Sequence, residues 1–321
     1  MHTTQVMKVL ITGSIAYDVL LGYEGSFKDA IDPKSLDTLS LSFFSPHYAR
    51  HHGGTAANIA WNLNLLGGDP LVVGTVGSDG APYKALLEER GIGIGYIEEL
   101  PAHVTATAII GTDRDERQIA FFHPGADAHG SWPEMNDERD TLAYAIVSPR
   151  DTRMMIAGME WCRRAKVPVF FDPGQQIIAF SSDELKRLTK MSAGVIVNDY
   201  EWSLLRDALK ENEKSILSLT KLAIVTHGEK GVTVISKDGE EVLPACSPDR
   251  VVDPTGAGDA FRGGLLFGLS SGWDITDACR LGAAMGSKVI EQEGTLMDTL
   301  DREEVWERAG ETYGRTLPEE R

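Results

Sequence analysis

Val252-Asp253-Pro254-Thr255-Gly256-Ala257-Gly258-Asp259-Ala260-Phe261-Arg262-Gly263-Gly264 is the stretch on which the reading of this chain turns. Two glycines flank one small residue, and an acid then opens an apolar segment that runs to about Leu269. Glycine permits tight turns and close backbone approach. An acid just ahead of an apolar-periodic run predicts a helix N-terminus. The N–H groups of Gly256, Ala257 and Gly258 would then point outward, with the positive end of the helix dipole behind them. That is a site for an anion, phosphate above all. A carboxylate beside phosphate is repelled, so Asp259 makes sense there as a base that takes a proton from a hydroxyl attacking the phosphate. The plain alternative makes Asp259 an N-cap and the glycines a turn. Phe261 stands where a dinucleotide fingerprint has its last glycine, which disfavours a dinucleotide-binding oxidoreductase.

The chain has 321 residues and a net charge of −17, from 31 Lys plus Arg against 48 Asp plus Glu. Such a balance argues against nucleic acid or an anionic membrane as partner. It leaves ATP open, because local amides and a divalent cation neutralise phosphate. Cys162, Cys246 and Cys279 lie far apart without a C-x-x-C pair. They read as buried thiols in a reducing compartment. No basic stretch followed by an apolar leader-like run is read near residue 1, and no apolar run is long enough to span a bilayer, so no secretory or membrane targeting is expected. The expectation is a soluble cytoplasmic protein.

Outward from the quoted stretch, Lys8 to Thr12 reads as a buried parallel strand that ends at Gly13. Residues 20–50, with glycine, proline and the alternation Leu39, Leu41, Phe43, read as a small antiparallel excursion. A helix is predicted from Ala57 to Leu66, a strand at Leu71–Gly74 and a helix from Ala81 to Arg90. His103–Thr112 and Arg117–Phe122 read as alternating strands joined by Asp113-Arg114-Asp115. From Trp132 onward strands and helices alternate, and apolar runs end in polar residues at Asp172, Asn198 and Thr226. With Asp18 and Asp253 these make five polar groups expected at one sheet edge, where open parallel α/β sheets bind ligands. The whole chain reads as one α/β domain, with lid segments at about 14–51 and 98–125.

No P-loop, protein-kinase or H-E-x-x-H motif occurs. Asp253-Pro254-Thr255-Gly256-Ala257-Gly258-Asp259-Ala260-Phe261 and Gly53-Gly54-Thr55-Ala56-Ala57-Asn58 together resemble the two signatures of the PfkB carbohydrate-kinase family, the ribokinase-like enzymes. The resemblance runs from Gly13 to about Ile290. It implies a three-layer α/β/α sandwich with a mainly parallel central sheet and a small β-sheet lid. Within the family the chain is most similar to the bacterial adenosine-kinase branch, through Ser40–Phe44, Asp172–Gln176, Asn198–Trp202 and Arg262.

The resemblance implies an ATP-dependent kinase. In it Asp259 is the catalytic base, and Gly256, Ala257 and Gly258 form the anion hole. Asp18, Gly53, Gly54 and Asn58 hold the acceptor's sugar hydroxyls. Asn198 and Glu201 resemble an N-x-x-E element that organises Mg²⁺ largely through water. Thr226, Gly228 and Gly231 resemble a nucleotide-binding T-x-G-x-x-G, and Ala283, Gly286 and Ser287 stand where the family packs adenine. Asp253 and Thr255 resemble part of a K⁺ site. Helix starts, a surface acid at Glu201 and plain helix packing are the alternatives for these positions.

Two features depart from the family pattern. Gln175 and Gln176 stand where many sugar kinases carry a basic residue, and Arg262 is the candidate to supply that charge. Phe122 fits one position of the adenine clamp, but Ala108 falls at the other. The leading expectation is transfer of the γ-phosphate to a nucleoside 5′-hydroxyl, adenosine first. Phe43, Phe44 and Phe122 are taken as the lid rings that meet the base. The alternatives are a ribokinase- or fructokinase-like sugar kinase and a silent nucleotide-binding protein. A homodimer through the lid is the expected assembly.

Overall fold

The computed structural model describes residues 7–31 and 40–318. Leu39, one member of the alternation read in the lid, lies outside them. Strand β1 (Lys8–Thr12) is flanked by β4 (Asp69–Gly77) and β8 (Leu142–Val147), both parallel to it. Beyond β4 lies β5 (Gly93–Leu100); beyond β8 come β9 (Val169–Phe171), β10 (Gly194–Asn198) and β11 (Leu222–Thr226). All of these are parallel, and the antiparallel strands β12 (Val232–Ser236) and β13 (Gly239–Leu243) complete a nine-stranded sheet.

Successive strand residues point to opposite faces, and the core divides accordingly. Val9, Ile11, Ile196 and Ile224 pack into one buried cluster, whereas Leu10, Val195, Val197 and Val225 pack into another. Helices α2 (Thr55–Leu65), α8 (Ala257–Ser270) and α9 (Ile275–Val289) cover the first face. Helices α4 (Thr152–Ala165), α5 (Ser182–Met191) and α6 (Asp199–Leu209) cover the second. Strands buried on both sides by helices need continuous apolar runs, which these are. The result is the expected three-layer α/β/α sandwich.

A separate four-stranded sheet forms the lid, in the order β3 (His47–Gly53), β2 (Ala16–Tyr23), β6 (Ala106–Asp113), β7 (Gln118–His123). It is mixed, since β2 pairs parallel with β6 and antiparallel with β3. Residues 98–100, counted with the lid from sequence, belong instead to the large sheet as the end of its edge strand β5. The β6–β7 turn is held by the Asp113 carboxylate, which accepts from the N–H groups of Phe27, Asp115 and Arg117. No helix among the described residues is long and apolar enough to cross a membrane.

Candidate active site

Gly256 adopts φ +83° as the N-cap of α8, a conformation glycine takes without steric cost. The first intrahelical bond runs from Ala260 N–H to the Gly256 carbonyl at 2.9 Å. The N–H groups of Ala257, Gly258 and Asp259 come before it and are free to face a ligand. Asp259 is therefore inside the first turn and is not the N-cap, which corrects the plain alternative given above. Its carboxylate accepts from Asn58 Nδ2 at 2.8 Å. Burial pushes the Asp259 carboxyl up to about 6; Arg262 and the Asn58 bond pull it down, while Asp172 and Asp18 add to the rise.

This helix end forms one wall of a cleft of about 860 Å³. Gly256, Gly258, Asp259 and Arg262 line it from α8. Asp172, Asn198 and Thr226 line it from the carboxyl ends of β9, β10 and β11, and Phe122 reaches it from the lid. Three of the five expected strand-end groups thus meet at one edge. The other two do not stand at strand ends. Asp18 lies in the middle of β2, and Asp253 lies in the loop before α8.

Asn198 and Glu201 form a capping box at the start of α6. Glu201 N–H donates to Asn198 Oδ1, and Asn198 N–H to Glu201 Oε2, both at 2.8 Å. Both side chains also line the cleft. Burial and the neighbouring Asp172 raise the Glu201 carboxyl above its usual range.

On the lid Asp18 is half-buried, and an ideal Cβ on Gly53 would sit 2.2 Å from its Oδ2. Gly54 has φ +93° and faces the backbone of Ser14 and Ala16. Register places His51, Asp18, Ala108 and Phe122 in one row across the lid, so their side chains share a face. Phe122 is 60% exposed at the cleft rim. Phe43 and Phe44 are not at the cleft. Phe43 packs edge-on against Tyr23 and Phe27, each at 5.0 Å, and Phe44 stands in solvent. Aromatic burial inside the lid holds Phe43 away from the ligand side.

Thr226 and Gly228 line the cleft, but Gly231 does not. Its φ of +101° and its approach to the Leu243 carbonyl make it the tight turn into β12. Ser287 is buried; its hydroxyl donates to the Ala284 carbonyl and accepts from Arg308 Nη1. Gly286 lies against the Ala257 carbonyl, and Ala283 is half-buried on α9. These three stand behind α8 and outside the cleft lining. The Asp253 carboxylate accepts from the Thr255 and Gly294 N–H groups. Partial burial opposes its charge, but these bonds outweigh that and hold the carboxyl below its usual range.

Arg262 is buried and gives Nε and Nη2 to the two oxygens of Asp172, and Nη1 to the Gly258 carbonyl. Two of its five N–H groups remain for a ligand.

Two buried residues at the cleft carried no sequence signal. Arg150 pairs with Asp127 at 2.6 Å and also donates to Thr12 and Thr75. The pair ties the chain leaving the lid to the strand ends of the large sheet.

The family described as pfkB family carbohydrate kinase matches residues 27–301. A nucleoside kinase of Burkholderia thailandensis, solved in complex with inosine, superposes with a TM-score of 0.83 at 38% identity, covering 96% of this chain and 98% of that one. The same enzyme has been solved with ADP and inosine. The nucleoside kinase of Methanothermobacter thermautotrophicus is 30% identical over 277 residues, 83% of this chain and 87% of that protein. An Escherichia coli fructokinase is 30% identical over 252 residues, 70% of this chain and 79% of its own length.

Proposed function

The chain belongs to the pfkB family of carbohydrate kinases, ATP-dependent phosphotransferases with a hydroxyl acceptor, and from that premise we propose that it phosphorylates the 5′-hydroxyl of a purine nucleoside. The observation that carries this reading is the row Asp18–Ala108–Phe122 across the lid. Adjacent strands lie about 4.8 Å apart, so Phe122 stands roughly 10 Å from Asp18. A ribose held by Asp18 and Asn58 has its base directed along apolar Ala108 towards the Phe122 ring. A bare sugar ends before it reaches that ring. Ala108 in place of a second ring leaves room for substituents on the purine, so inosine and guanosine join adenosine as acceptors. The relatives named nucleoside kinase support this choice; the fructokinase relative supports the sugar alternative.

In this reading Asp259, about half ionised near pH 6, takes the proton of the attacking hydroxyl. The free N–H groups at the start of α8 and the Arg262 charge face the transferring phosphoryl group. Asn198, Thr226 and Gly228 hold the nucleotide's end of the cleft. Glu201 lines the cleft and keeps Oε1 outside its capping bond, which fits Mg²⁺ held largely through water. That ion supplies charge neutralisation for the phosphates. Asp253, held ionised, is the group that fits K⁺ together with Thr255. The buried free thiols Cys162, Cys246 and Cys279 support a reducing, cytoplasmic location.

The outer face of the lid supports a homodimer. Val19, Ile109 and Phe121 are in register there, opposite in facing to the Asp18 row, and Tyr48 and Phe121 are 66% and 69% exposed. Phe121→Asp should convert a dimer to monomers in light scattering; an unchanged mass excludes this face.

The deciding experiment is phosphate transfer against a panel of nucleosides and sugars. A nucleoside should exceed ribose and fructose in kcat/KM by at least about tenfold. Phe122→Ala should narrow the gap and leave sugar turnover alone, since an aromatic contact is worth about 0.5–1.5 kcal/mol. A preference for ribose or fructose in the wild type assigns the chain to the sugar kinases.

A further inference from the structure

Asn58 is held at both ends of its side chain. Its Nδ2 donates to Asp259 Oδ2 at 2.8 Å, and its Oδ1 accepts from Thr295 Oγ1 at 2.9 Å. A carboxylate only accepts, so it requires the amino end of the amide; the hydroxyl supplies the donor that the carbonyl end requires. Turned over, the amide would set its oxygen against the Asp259 carboxylate.

Thr295 is 4% exposed, in the loop between α9 and α10 (Arg302–Tyr313), and 237 residues separate it from Asn58. Its hydroxyl also lies 3.2 Å from the His52 carbonyl, but it has one proton, and Asn58 is the nearer acceptor. Its Cγ2 and Cβ pack on Gly256, where an added Cβ would meet them at 3.0 and 3.1 Å. One side chain therefore touches both the amide that holds Asp259 and the glycine that opens the anion site.

We propose that Thr295 is a positioning residue for phosphoryl transfer: its hydroxyl locks the Asn58 amide with the amino group turned to Asp259, which aims the carboxylate at the acceptor hydroxyl. This rests on the reading of Asp259 as the base. Losing the lock frees the Asn58 amide to turn and weakens the Nδ2 bond that favours the ionised carboxylate, so Asp259 ionises at higher pH. The other groups facing Asp259 are Arg262 on α8, Asp172 after β9, Asp18 on β2 and Tyr83 on α3 (Ala81–Glu89), and the change leaves them in place.

Thr295→Val keeps the shape and removes the hydroxyl. The acid limb of its kcat/KM profile for the acceptor should move up by about one pH unit, with about a tenfold loss on that limb. The KM for ATP should stay as in wild type, and Thr295→Ser should restore the wild-type limb. In an Asn58→Ala background the Val substitution should add nothing, because both changes break the same chain of bonds. A wild-type pH profile for Thr295→Val, or full additivity with Asn58→Ala, overturns the lock. Should the Val variant fail to fold, Thr295→Ser against Thr295→Ala makes the same comparison. Asp259→Asn separates the two ideas. If it stays active, the base reading fails; if it is inactive while Thr295→Val is silent, the lock alone fails.

Discussion

Asp172 and Arg262 meet as a parallel two-bond pair, with Arg262 Nε and Nη2 donating to Asp172 Oδ2 and Oδ1, both at 2.6 Å. Asp172 is 1% exposed and Arg262 8%, so neither charge is left to water. Breaking a buried pair by removing one partner strands the other charge, typically at about 3–5 kcal/mol. Asp259 and Glu201 also face Arg262, which softens the loss. Asp172→Asn should therefore cost roughly 3 kcal/mol, the low end of that range, in urea denaturation. A loss below about 1 kcal/mol would mean that the nearby carboxylates carry the compensation instead.

Asp259→Asn should lower kcat by about 10²–10⁴-fold with little change in ATP affinity, the usual worth of a general base. In the wild type, activity should fall as pH drops through about 6, where the base takes up its proton. Stability should move the other way. A carboxyl raised from 3.8 to about 6 binds more protons folded than unfolded, so stability declines as pH rises between those values. At pH 7 the Asn variant should be more stable by roughly 1–3 kcal/mol, after a discount for partial exposure, and the gain should vanish below about pH 4. A variant no more stable at pH 7 than at pH 4 contradicts the raised carboxyl.

Glu201→Gln keeps an oxygen able to accept from Asn198 N–H, so the cap of α6 should survive with a stability change within about 0.5 kcal/mol. Only the charge is removed. The Mg²⁺ concentration for half-maximal activity should rise. A Mg²⁺ titration identical to wild type would confine Glu201 to its capping role.

Gly53 and Gly54 should respond differently to alanine. At Gly53 the added Cβ meets the far end of the Asp18 side chain at 2.2 Å, and that end can move. The fold should hold within about 1 kcal/mol while the acceptor KM rises about tenfold with ATP unaffected. At Gly54 the added Cβ meets backbone atoms of Ser14 and Ala16 at 2.6 and 2.7 Å, at φ +93°. Strain against fixed backbone should cost more than about 2 kcal/mol, read as a lowered Tm. Equal stability losses at the two positions would show that Asp18 cannot yield.

Contiguous sequence determined the parts of this protein whose physics is local. The glycine turn and acid at Gly256–Asp259, the helix expected from Ala57 and found from Thr55, and the apolar runs ending at Asp172, Asn198 and Thr226 were legible because their partners lie within a turn or a strand. Such patterns sufficed for an α/β domain and for the sheet edge that the cleft occupies, while the three-layer sandwich with its lid followed from the resemblance of the two signatures to the PfkB family. Tertiary structure alone decided which polar groups neutralise one another. The Asp172–Arg262 pair spans 90 residues, Asn58–Asp259 spans 201 and Asn58–Thr295 spans 237, and no spacing rule connects such positions. It also turned Phe43 into the lid's own aromatic cluster and left Phe122 at the cleft. A periodic pattern says which residues want burial. Which surface buries them, and which charge meets which, depends on how distant elements pack, because hydrogen bonds and ion pairs act over a few ångströms of space and carry no memory of distance along the chain.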